Sequence, residues 1–494
     1  MTSFAERCGV HDALRAAACE QVLHQLRERQ IDRVRVAWCD AHGALRAKTL
    51  MVGALADALT AGIGMVGTLL LKDSADHTAF AVFDADAGAD ATLVPAGFAQ
   101  AANLQLLPDP ASLRLLPWAP NTAWLRADPW FANATPVTID PRRALQTALT
   151  RLADVGLGLR CGLEVEFHIY RLDAGQSLAA TADWPSEPPA VSPIHPGHHL
   201  LSEALADQAD EALRIVQHTA QGLGLPLTSL EIEFGPSQVE AVFGATDALA
   251  AADQMVLFRN GVIQALRRAG YHASFVCRPP LPGAMASGWH LHQSLVDLHS
   301  GANACMRDEP EPGSTRTDAR HVLSDLGAHY LAGLLAHAGA LTPFCTPTLS
   351  GYTRFRPHAM APLAALWGRD NRGAMLRVLG GAGDPGTRIE NRLGEPMANP
   401  YLCIAAQIHA GLDGIQRQLT APPATEAPYG DGGPALPASL GEALDALAGD
   451  AVLIGALGAP LVDWYSQLKR AELVRHDGAS DRDAWLRREY FGRF

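Results

Sequence analysis

Residues 162–168 read GLEVEFH. The alternation continues to Tyr170 as in a β-strand, and its period of two places Glu164 and Glu166 on one face. Two adjacent carboxylates repel each other, and burying them without a partner is costly, so a cation between them would be stabilising. Taken alone, the pattern fits an exposed strand with two solvated glutamates better. Its meaning therefore depends on the rest of the chain.

Length and composition narrow the possible functions. With 494 residues, the chain can form two or three domains around a large core. A net charge of -13 argues against general affinity for nucleic acid or anionic membranes and favours small-molecule substrates. Eight scattered cysteines without a C-x-x-C pair predict reduced thiols in a cytoplasmic protein. We expect neither a signal peptide nor a transmembrane segment.

Periodic patterns predict the regular elements and the domain boundary. A proline-marked passage at residues 107–120 predicts the end of a small N-terminal domain, residues 1–118, which is followed by a domain of residues 119–494. The predicted helices cover residues 11–30, 140–155, 202–223 and 247–269, and the predicted strands cover residues 34–38, 230–242 and 273–277.

Further polar residues occur on these and later strands. Glu233 and Glu240 lie in or beside the strand of residues 230–242, and His290 and His292 alternate as the first two glutamates do. Hard divalent cations prefer oxygen ligands and tolerate an imidazole. The arginines further along suit phosphate and carboxylate, which a guanidinium grips in a fork: Arg354, Arg356, Arg369, Arg372, Arg377, Arg388 and Arg392.

Metal ligands and arginines that face one cavity are what phosphoryl transfer requires, because its catalysis is mainly positioning and charge neutralisation. The sequence contains no Gly-x-x-x-x-Gly-Lys phosphate loop, so a nucleotide would be held by metals and arginines. Each motif is weak alone. Six occur in order: Gly162-x-Glu164-x-Glu166-Phe167, Glu233-Phe-Gly-Pro236-Ser-Gln238-Val-Glu240, Gly288-x-His290-x-His292-x-Ser294-Leu295, Asn371-Arg372 with Arg377, Arg388-Ile-Glu390-x-Arg392, and Asn399-Pro400-Tyr401-Leu402.

This series resembles the signature of the glutamine synthetase family, in particular its type I-like branch of γ-glutamylamide and γ-glutamylpolyamine synthetases. The resemblance implies an α+β fold, with a small N-terminal β-grasp domain and a large catalytic domain. In that catalytic domain, antiparallel strands flanked by helices form a two-metal funnel. It also implies a homo-oligomer of two stacked hexameric rings, in which the neighbour's N-terminal domain completes each active site.

The resemblance also implies the reaction. ATP phosphorylates the side-chain carboxylate of glutamate, and an amine attacks the acyl phosphate to form an amide. Two or more Mg²⁺ or Mn²⁺ ions assist. The implied metal ligands are Glu166, Glu233 and Glu240 for one ion and Glu164, His290 and Glu390 for the other. The implied ATP contacts are His292, Ser294, Arg372, Arg377 and Arg388, the implied substrate contacts are Glu166, His290, Arg354, Arg392 and Met360, and the implied catalytic residues are Arg354, Arg372 and Glu390.

The departures from the family pattern concern the acceptor. Met360 stands where ammonia-using members carry a flap glutamate, and methionine can neither hold ammonium nor take its proton. Met285-Ala286 replaces an Asn-Gly loop. The family's N-terminal aspartate has four unmatched candidates: Asp73, Asp76, Asp84 and Asp86. We therefore expect an organic amine, a monoamine or aromatic amine rather than a polyamine, as acceptor. His358 is close enough to Met360 in the sequence to serve as a substitute base, although a lone histidine in a loop is more often a surface residue.

Two other functions remain open at this stage. One is a non-catalytic homologue with a regulatory or structural role, and the other is a phosphotransferase that stops at the acyl phosphate. The complete set of metal and phosphate residues favours the active ligase.

Overall fold

The computed structural model describes residues 2–84, 94–173, 184–430 and 432–494. Its helices are α1 (Phe4–Arg7), α2 (Ala13–Glu28), α3 (Leu55–Ala61), α4 (Pro141–Ala153), α5 (Glu203–Gly222), α6 (Ala248–Arg268), α7 (Asp325–Ala336), α8 (Ala338–Cys345), α9 (Pro400–Gln416), α10 (Leu440–Ala448), α11 (Ala451–Leu457), α12 (Ala459–Asp477) and α13 (Arg482–Leu486).

The strands of the described residues are β1 (Arg33–Cys39), β2 (Leu45–Met51), β3 (Ile63–Val66), β4 (Asn103–Pro108), β5 (Arg114–Leu115), β6 (Thr122–Phe131), β7 (Leu157–Leu172), β8 (Val191–Pro193), β9 (Leu227–Ile232), β10 (Gln238–Asp247), β11 (Tyr271–Ser274), β12 (Trp289–Asp297), β13 (Trp367–Arg369), β14 (Leu376–Leu379) and β15 (Arg388–Gly394). The predicted mixture of helices and sheets is confirmed. None of the helices just given combines the length and apolar character needed to cross a bilayer.

The first sheet has the strand order β2-β1-β6-β4-β3, with β5 also paired to β6. The β1–β6 pair is parallel, and the other pairs are antiparallel. One face is covered by α2 and α3, since Val22 and Leu26 of α2 form a buried cluster with Val34 and Leu125. The alternation of Val34 with charged neighbours is what a sheet with one covered face requires.

The predicted domain boundary at residue 118 precedes β6, a central strand of this first sheet. The prolines at residues 117 and 120 mark a turn between β5 and β6, closed by a hydrogen bond from the Leu116 amide to the Thr122 carbonyl (3.1 Å). A turn and a domain linker share the same proline signal, so the sequence did not distinguish them. We propose that the first domain ends between Phe131 and Pro141.

The second sheet has the order β13-β14-β15-β12-β7-β10-β9, and β8 and β11 both pair with β7. All its pairs are antiparallel except β13–β14. The single strand predicted for residues 230–242 is divided into β9 and β10 by a turn in which Ser237 has a φ of +61°. This turn carries Glu233 and lets both strands lie in the sheet.

The long strand β7 separates the core from the polar face. Leu163, Val165 and Phe167 are buried. The Phe167 ring contacts Phe258 of α6, with ring centroids 5.9 Å apart. Because side chains alternate along a strand, Glu164 and Glu166 project from the opposite face. The helices therefore cover one face of the second sheet, and the candidate site lies on the other.

Candidate active site

The register of the second sheet places predicted site residues directly opposite each other on neighbouring strands. The pairs are Glu166 with Glu240, Glu164 with His290, and Glu390 with both His292 and Arg377. Residues opposite each other in an antiparallel pair have Cβ atoms only about 4.5–5.5 Å apart. Five adjacent strands, β10, β7, β12, β15 and β14, thus bring together residues far apart in sequence.

Glu166, Glu233 and Glu240 form the first ligand group, with one carboxylate oxygen from each within 4.8 Å of the others. Burial, with the neighbouring Glu166 carboxylate, raises the pKa of Glu240 to about 9. Burial, with Glu233, raises the pKa of Glu166 to about 7. Mutual repulsion disfavours the ionisation of all three carboxylates. A divalent cation bound between them would stabilise their charged forms, so the group suits such an ion.

The second ligand group surrounds Glu164. His290 Nδ1 lies 3.4 Å from Glu164 Oε2 and 3.8 Å from Glu390 Oε1, so the three predicted ligands of the second ion are neighbours. Burial, helped by Arg392, lowers the pKa of His290 to about 4 and keeps its imidazole neutral. A neutral imidazole has the lone pair that a metal ligand needs. Although burial opposes it, contact with His290 and His292 lowers the pKa of Glu164 below its usual range.

His292, predicted as an ATP contact, is also a candidate ligand. Its Nε2 lies 2.9 Å from Glu164 Oε1, and ligand atoms of Glu164, His292 and Glu390 all lie within 4.8 Å of one another. Its Nδ1 accepts a hydrogen bond from Arg388 Nε (3.0 Å). The sequence did carry a signal for a role of His292 as a metal ligand, because His292 alternates with His290 and so lies on the same face of the strand.

Sequence reasoning assigned no role to two residues that hold Glu166. Gln238 Nε2 donates hydrogen bonds to Glu166 Oε2 (3.2 Å) and to Ser287 Oγ (3.0 Å), and the Gly288 amide donates to the same Glu166 oxygen (2.9 Å). A Cβ at Gly288 would lie 2.7 Å from Arg354 Nη2. Gln238 and Gly288 both belong to the motifs of the sequence, but the sequence alone does not reveal that they contact Glu166.

Two arginines grip Glu390. Arg377 Nη1 lies 3.0 Å from Glu390 Oε2, and Arg392 Nη1 pairs with the other carboxylate oxygen. Although burial opposes it, the pKa of Glu390 is lowered by His290 and Arg392. Arg354 Nη1 donates to the Arg392 carbonyl (2.9 Å), so the two arginines predicted to hold the substrate carboxylate lie side by side. Both are buried.

A cavity of about 670 Å³ adjoins Glu164. Three predicted ATP contacts, His292, Ser294 and Arg388, line it together. The other two do not. Arg377 turns towards Asp370 and Glu390, and Arg372 is exposed and borders a separate cavity of about 340 Å³. Arg372 contacts the site through its backbone carbonyl, which accepts a hydrogen bond from Arg392 Nε (3.0 Å).

Residues 356–361, which we call the flap, contact Arg392, one of the two arginines predicted to hold the substrate carboxylate. The Met360 carbonyl accepts a hydrogen bond from Arg392 Nη2 (3.3 Å), while the side chain is 57% exposed. His358 and Met360 have φ angles of +59° and +51°. Left-handed backbone at residues other than glycine is uncommon and concentrates at functional sites. The Tyr429 hydroxyl donates to the Ala361 carbonyl (3.2 Å) and braces the flap.

Two further apolar side chains lie beside the first ligand group. Phe234, which directly follows Glu233, is 45% exposed, and Met285 is 36% exposed. Met285 packs on Gly235, where an added Cβ would lie 2.8 Å from the Met285 Cβ. These two exposed apolar side chains are candidates for contact with an apolar ligand.

The structure separates the four candidate N-terminal aspartates. Asp73 is buried and accepts hydrogen bonds from the Ala75 and His77 amides and from Arg475. Asp76 pairs with Arg46 and Arg493. These contacts all lie within the chain. Asp84 is exposed. Asp86 lies outside the described residues.

The chain is similar to proteins of known family. Residues 138–487 match the family described as "Glutamine synthetase, catalytic domain". The chain is 36% identical over 489 residues to the "Gamma-glutamylanilide synthase" of Acinetobacter sp, covering 96% of this chain and 95% of that protein.

Two more similarities extend the comparison. The "Gamma-glutamylethanolamide synthetase" of Streptomyces coelicolor is 30% identical over 384 residues, or 77% of this chain and 78% of that protein. The solved structure described as "GmaS/ADP complex-Conformation 1" has a TM-score of 0.75 and 27% identity, and the match covers 94% of this chain and 98% of that chain.

Proposed function

This chain belongs to the glutamine synthetase family, and we propose that it joins the γ-carboxylate of glutamate to an organic amine as ATP is converted to ADP and phosphate. The predicted family, ligase class and ATP-dependent amide formation are confirmed. The choice of acceptor and the roles of individual residues form the proposal. No observation favours a non-catalytic homologue or a phosphotransferase.

The observation that carries the proposal is a contrast between two parts of the site. The flap contains no acidic residue, whereas the second sheet and its turn carry a complete acidic array, which consists of Glu164, Glu166, Glu233, Glu240 and Glu390. Residues 355–363 read FRPHAMAPL. A flap that is to bind ammonium needs a negative charge, and methionine offers only a polarisable thioether. The relatives named for anilide and ethanolamide products point the same way.

The chain's residues divide the work of the first chemical step. Glu166, Glu233 and Glu240 would hold one divalent cation, and Glu164, His290 and Glu390 the other. When bound, Mg²⁺ or Mn²⁺ would neutralise the phosphate oxygens and make the γ-phosphorus a better electrophile. His292, Ser294 and Arg388 contact the nucleotide in the large cavity, while Arg354 and Arg392 orient glutamate so that its γ-carboxylate oxygen attacks the γ-phosphorus and ADP leaves.

The second step forms the amide. The amine nitrogen attacks the acyl carbon, the bond from that carbon to the phosphate oxygen breaks, and phosphate leaves. Buried arginines suit this step because charge that develops on the phosphate is stabilised most where water is excluded. We assign Arg377 and Arg372 to phosphate binding, with Arg372 needing to turn inward from its exposed position.

Further parts of the proposal concern architecture and location. We propose that the first domain is of the β-grasp type, that the second forms the two-metal funnel, and that the chain assembles into two stacked hexameric rings. Exposed apolar residues such as Leu14 and Phe83 support burial against other subunits. All eight cysteines lie in the described residues and none forms a disulfide, which supports a cytoplasmic location.

The experiment that tests the function measures ADP release with Mg²⁺, ATP and glutamate across ammonium, methylamine, ethanolamine, putrescine, spermidine, benzylamine and aniline, with mass spectrometry of each product. We expect an amide from at least one organic amine and little glutamine. Glutamine as the main product would overturn the proposed acceptor. ADP release that no amine accelerates would instead favour the phosphotransferase.

A further inference from the structure

Because the flap contains no acidic residue, no carboxylate there can take the proton that the attacking amine must lose. An amine that attacks an acyl phosphate becomes positively charged at nitrogen and must lose a proton to give a stable amide. The acidic array cannot easily take this proton, because its carboxylates are committed to the cations. Asp73 and Asp76 are occupied by arginines of their own chain.

His358 is the one residue between positions 355 and 363 that can accept a proton near neutral pH. It is exposed and lies in the left-handed stretch of the flap, two residues before Met360. Its ring lies against Tyr429, with centroids 5.1 Å apart and ring planes inclined by 60°. The imidazole therefore packs against an aromatic side chain whose hydroxyl also hydrogen-bonds to the flap.

The flap's contacts place this imidazole on the side of the site where glutamate is expected to bind. Met360 is hydrogen-bonded to Arg392, and Arg392 pairs with Glu390. Burial raises the pKa of Tyr429, and the guanidinium groups of Arg392 and Arg354 oppose that effect across a short distance. The charged and titratable groups close to the flap are the Tyr429 phenol, Arg392, which donates to the Met360 carbonyl, Arg354, which acts on the Tyr429 phenol, and Arg356 within the flap.

These surroundings also restrict the amine. The three arginines repel a cation, and a neutral imidazole contributes no negative charge to hold an ammonium group. An amine already neutral at the working pH avoids both problems, since it enters uncharged and must lose its proton only after attack. Aromatic amines meet this condition, whereas alkylamines are protonated near neutral pH. The apolar side chains available to contact the ring of such an amine are Phe234 and Met285, beside the first ligand group, and Met360 in the flap, all of which are exposed.

Resting on the proposed function, we infer that His358 is the base that deprotonates the acceptor, and that the acceptors are weakly basic amines, aromatic amines above all. The nitrogen lone pair forms the C–N bond as the bond to the phosphate oxygen breaks and phosphate departs with that electron pair. The surplus N–H proton moves to an imidazole nitrogen of His358 and from there to solvent. No oxidant, reductant or further reactant takes part.

The test compares aniline with benzylamine, which resembles it in size but is largely cationic near neutral pH. For wild type we expect kcat/KM for aniline to exceed that for benzylamine by at least about 10-fold, because a charged amine must first lose its proton. The ratio of kcat/KM for benzylamine to kcat/KM for aniline should increase as the pH rises. Equal use of both amines near neutral pH would overturn the proposed acceptor class.

His358→Gln should lower kcat with aniline about 100-fold, the usual scale for loss of a general base, and remove the acidic limb of the pH profile of kcat. KM for ATP and glutamate should stay unchanged, and imidazole added to His358→Ala should restore part of the rate. His218→Gln, an exposed histidine on α5, is the matched control. Hydroxylamine needs little deprotonation when it attacks the acyl phosphate. Hydroxamate formation from hydroxylamine should therefore persist in the variants and show that they fold.

An unchanged rate and pH profile in His358→Gln would overturn the role of the base while leaving the proposed function intact. A wild-type enzyme that forms no amide from any amine would overturn the proposed function itself, and the inference with it. The two failures are therefore distinguishable by whether wild type makes an amide.

Discussion

The carboxylate face of the second sheet and the flap are built in opposite ways. On the sheet, residues such as Glu390 and His290 are buried and held by ladder register and ion pairs. On the flap, His358 and Met360 are exposed and held by strained backbone and a few contacts to loops. We propose that the sheet positions the groups for phosphoryl transfer and that the flap, a loop, determines the acceptor.

The largest expected effect comes from the rigid side. Glu240→Gln removes one charge from the first ligand group at nearly constant shape, so we expect kcat for amide formation to fall at least about 100-fold, as when an electrostatic stabiliser is lost. Glu231→Gln is the matched control, because Glu231 faces Glu240 across the β9–β10 pair but belongs to neither ligand group. Equal loss in both variants would contradict the assignment.

Met360→Glu should change the acceptor without abolishing turnover. A carboxylate in the flap can hold ammonium and accept its proton, so the ratio of glutamine to organic amide should rise about 10-fold or more. Met360→Gln keeps the size without the charge and should leave that ratio near the wild-type value. An unchanged ratio in Met360→Glu would show that the flap does not contact the acceptor.

Metal binding should stabilise the protein more at high pH than at low pH. Because the pKa of Glu240 is raised to about 9, ionising it costs stability as the pH rises above its ordinary carboxyl range. A cation removes that cost and competes with the proton. A fixed concentration of Mg²⁺, about 100 times its Kd at pH 7, should add about 2.7 kcal/mol at that pH, and the Tm increase should grow between pH 6 and pH 9 as Kd falls. A Tm increase that falls with pH would contradict this electrostatic account.

The smallest effect should follow from loosening the flap. Tyr429→Phe removes the hydrogen bond to the Ala361 carbonyl, worth about 1 kcal/mol, and so should raise KM for the amine about 5-fold. KM for ATP should not change, because neither Tyr429 nor the flap lines the cavity assigned to the nucleotide. A larger effect on ATP than on the amine would place Tyr429 with the phosphate residues instead.

Sequence reasoning succeeded where a pattern repeats locally. The alternation in GLEVEFH predicted β7 and put Glu164 and Glu166 on one face, and helical spacing predicted α2, α4, α5 and α6. The ligand sets came from the resemblance, and the structure brings their members together. Their roles stay predictions, since proximity alone does not demonstrate binding.

What sequence could not supply depends on long-range contacts. The prolines at residues 117 and 120 could not say whether they ended a domain or a hairpin, which is decided by the pairing of β6 with β1 and β4. The exposure of Arg372 depends on how its loop packs, and the support of Glu166 depends on Gln238, which lies 72 residues away in the sequence. None of these leaves a periodic signal along the chain.

One competition reaction tests the central claim most directly. Glutamate labelled with ¹⁸O in its γ-carboxylate is incubated with Mg²⁺, ATP, aniline and ammonium together, and mass spectrometry follows the amides and the phosphate. The account predicts γ-glutamylanilide in excess over glutamine, with one ¹⁸O transferred to the phosphate through the acyl phosphate. Glutamine in excess, or phosphate without ¹⁸O, would contradict it.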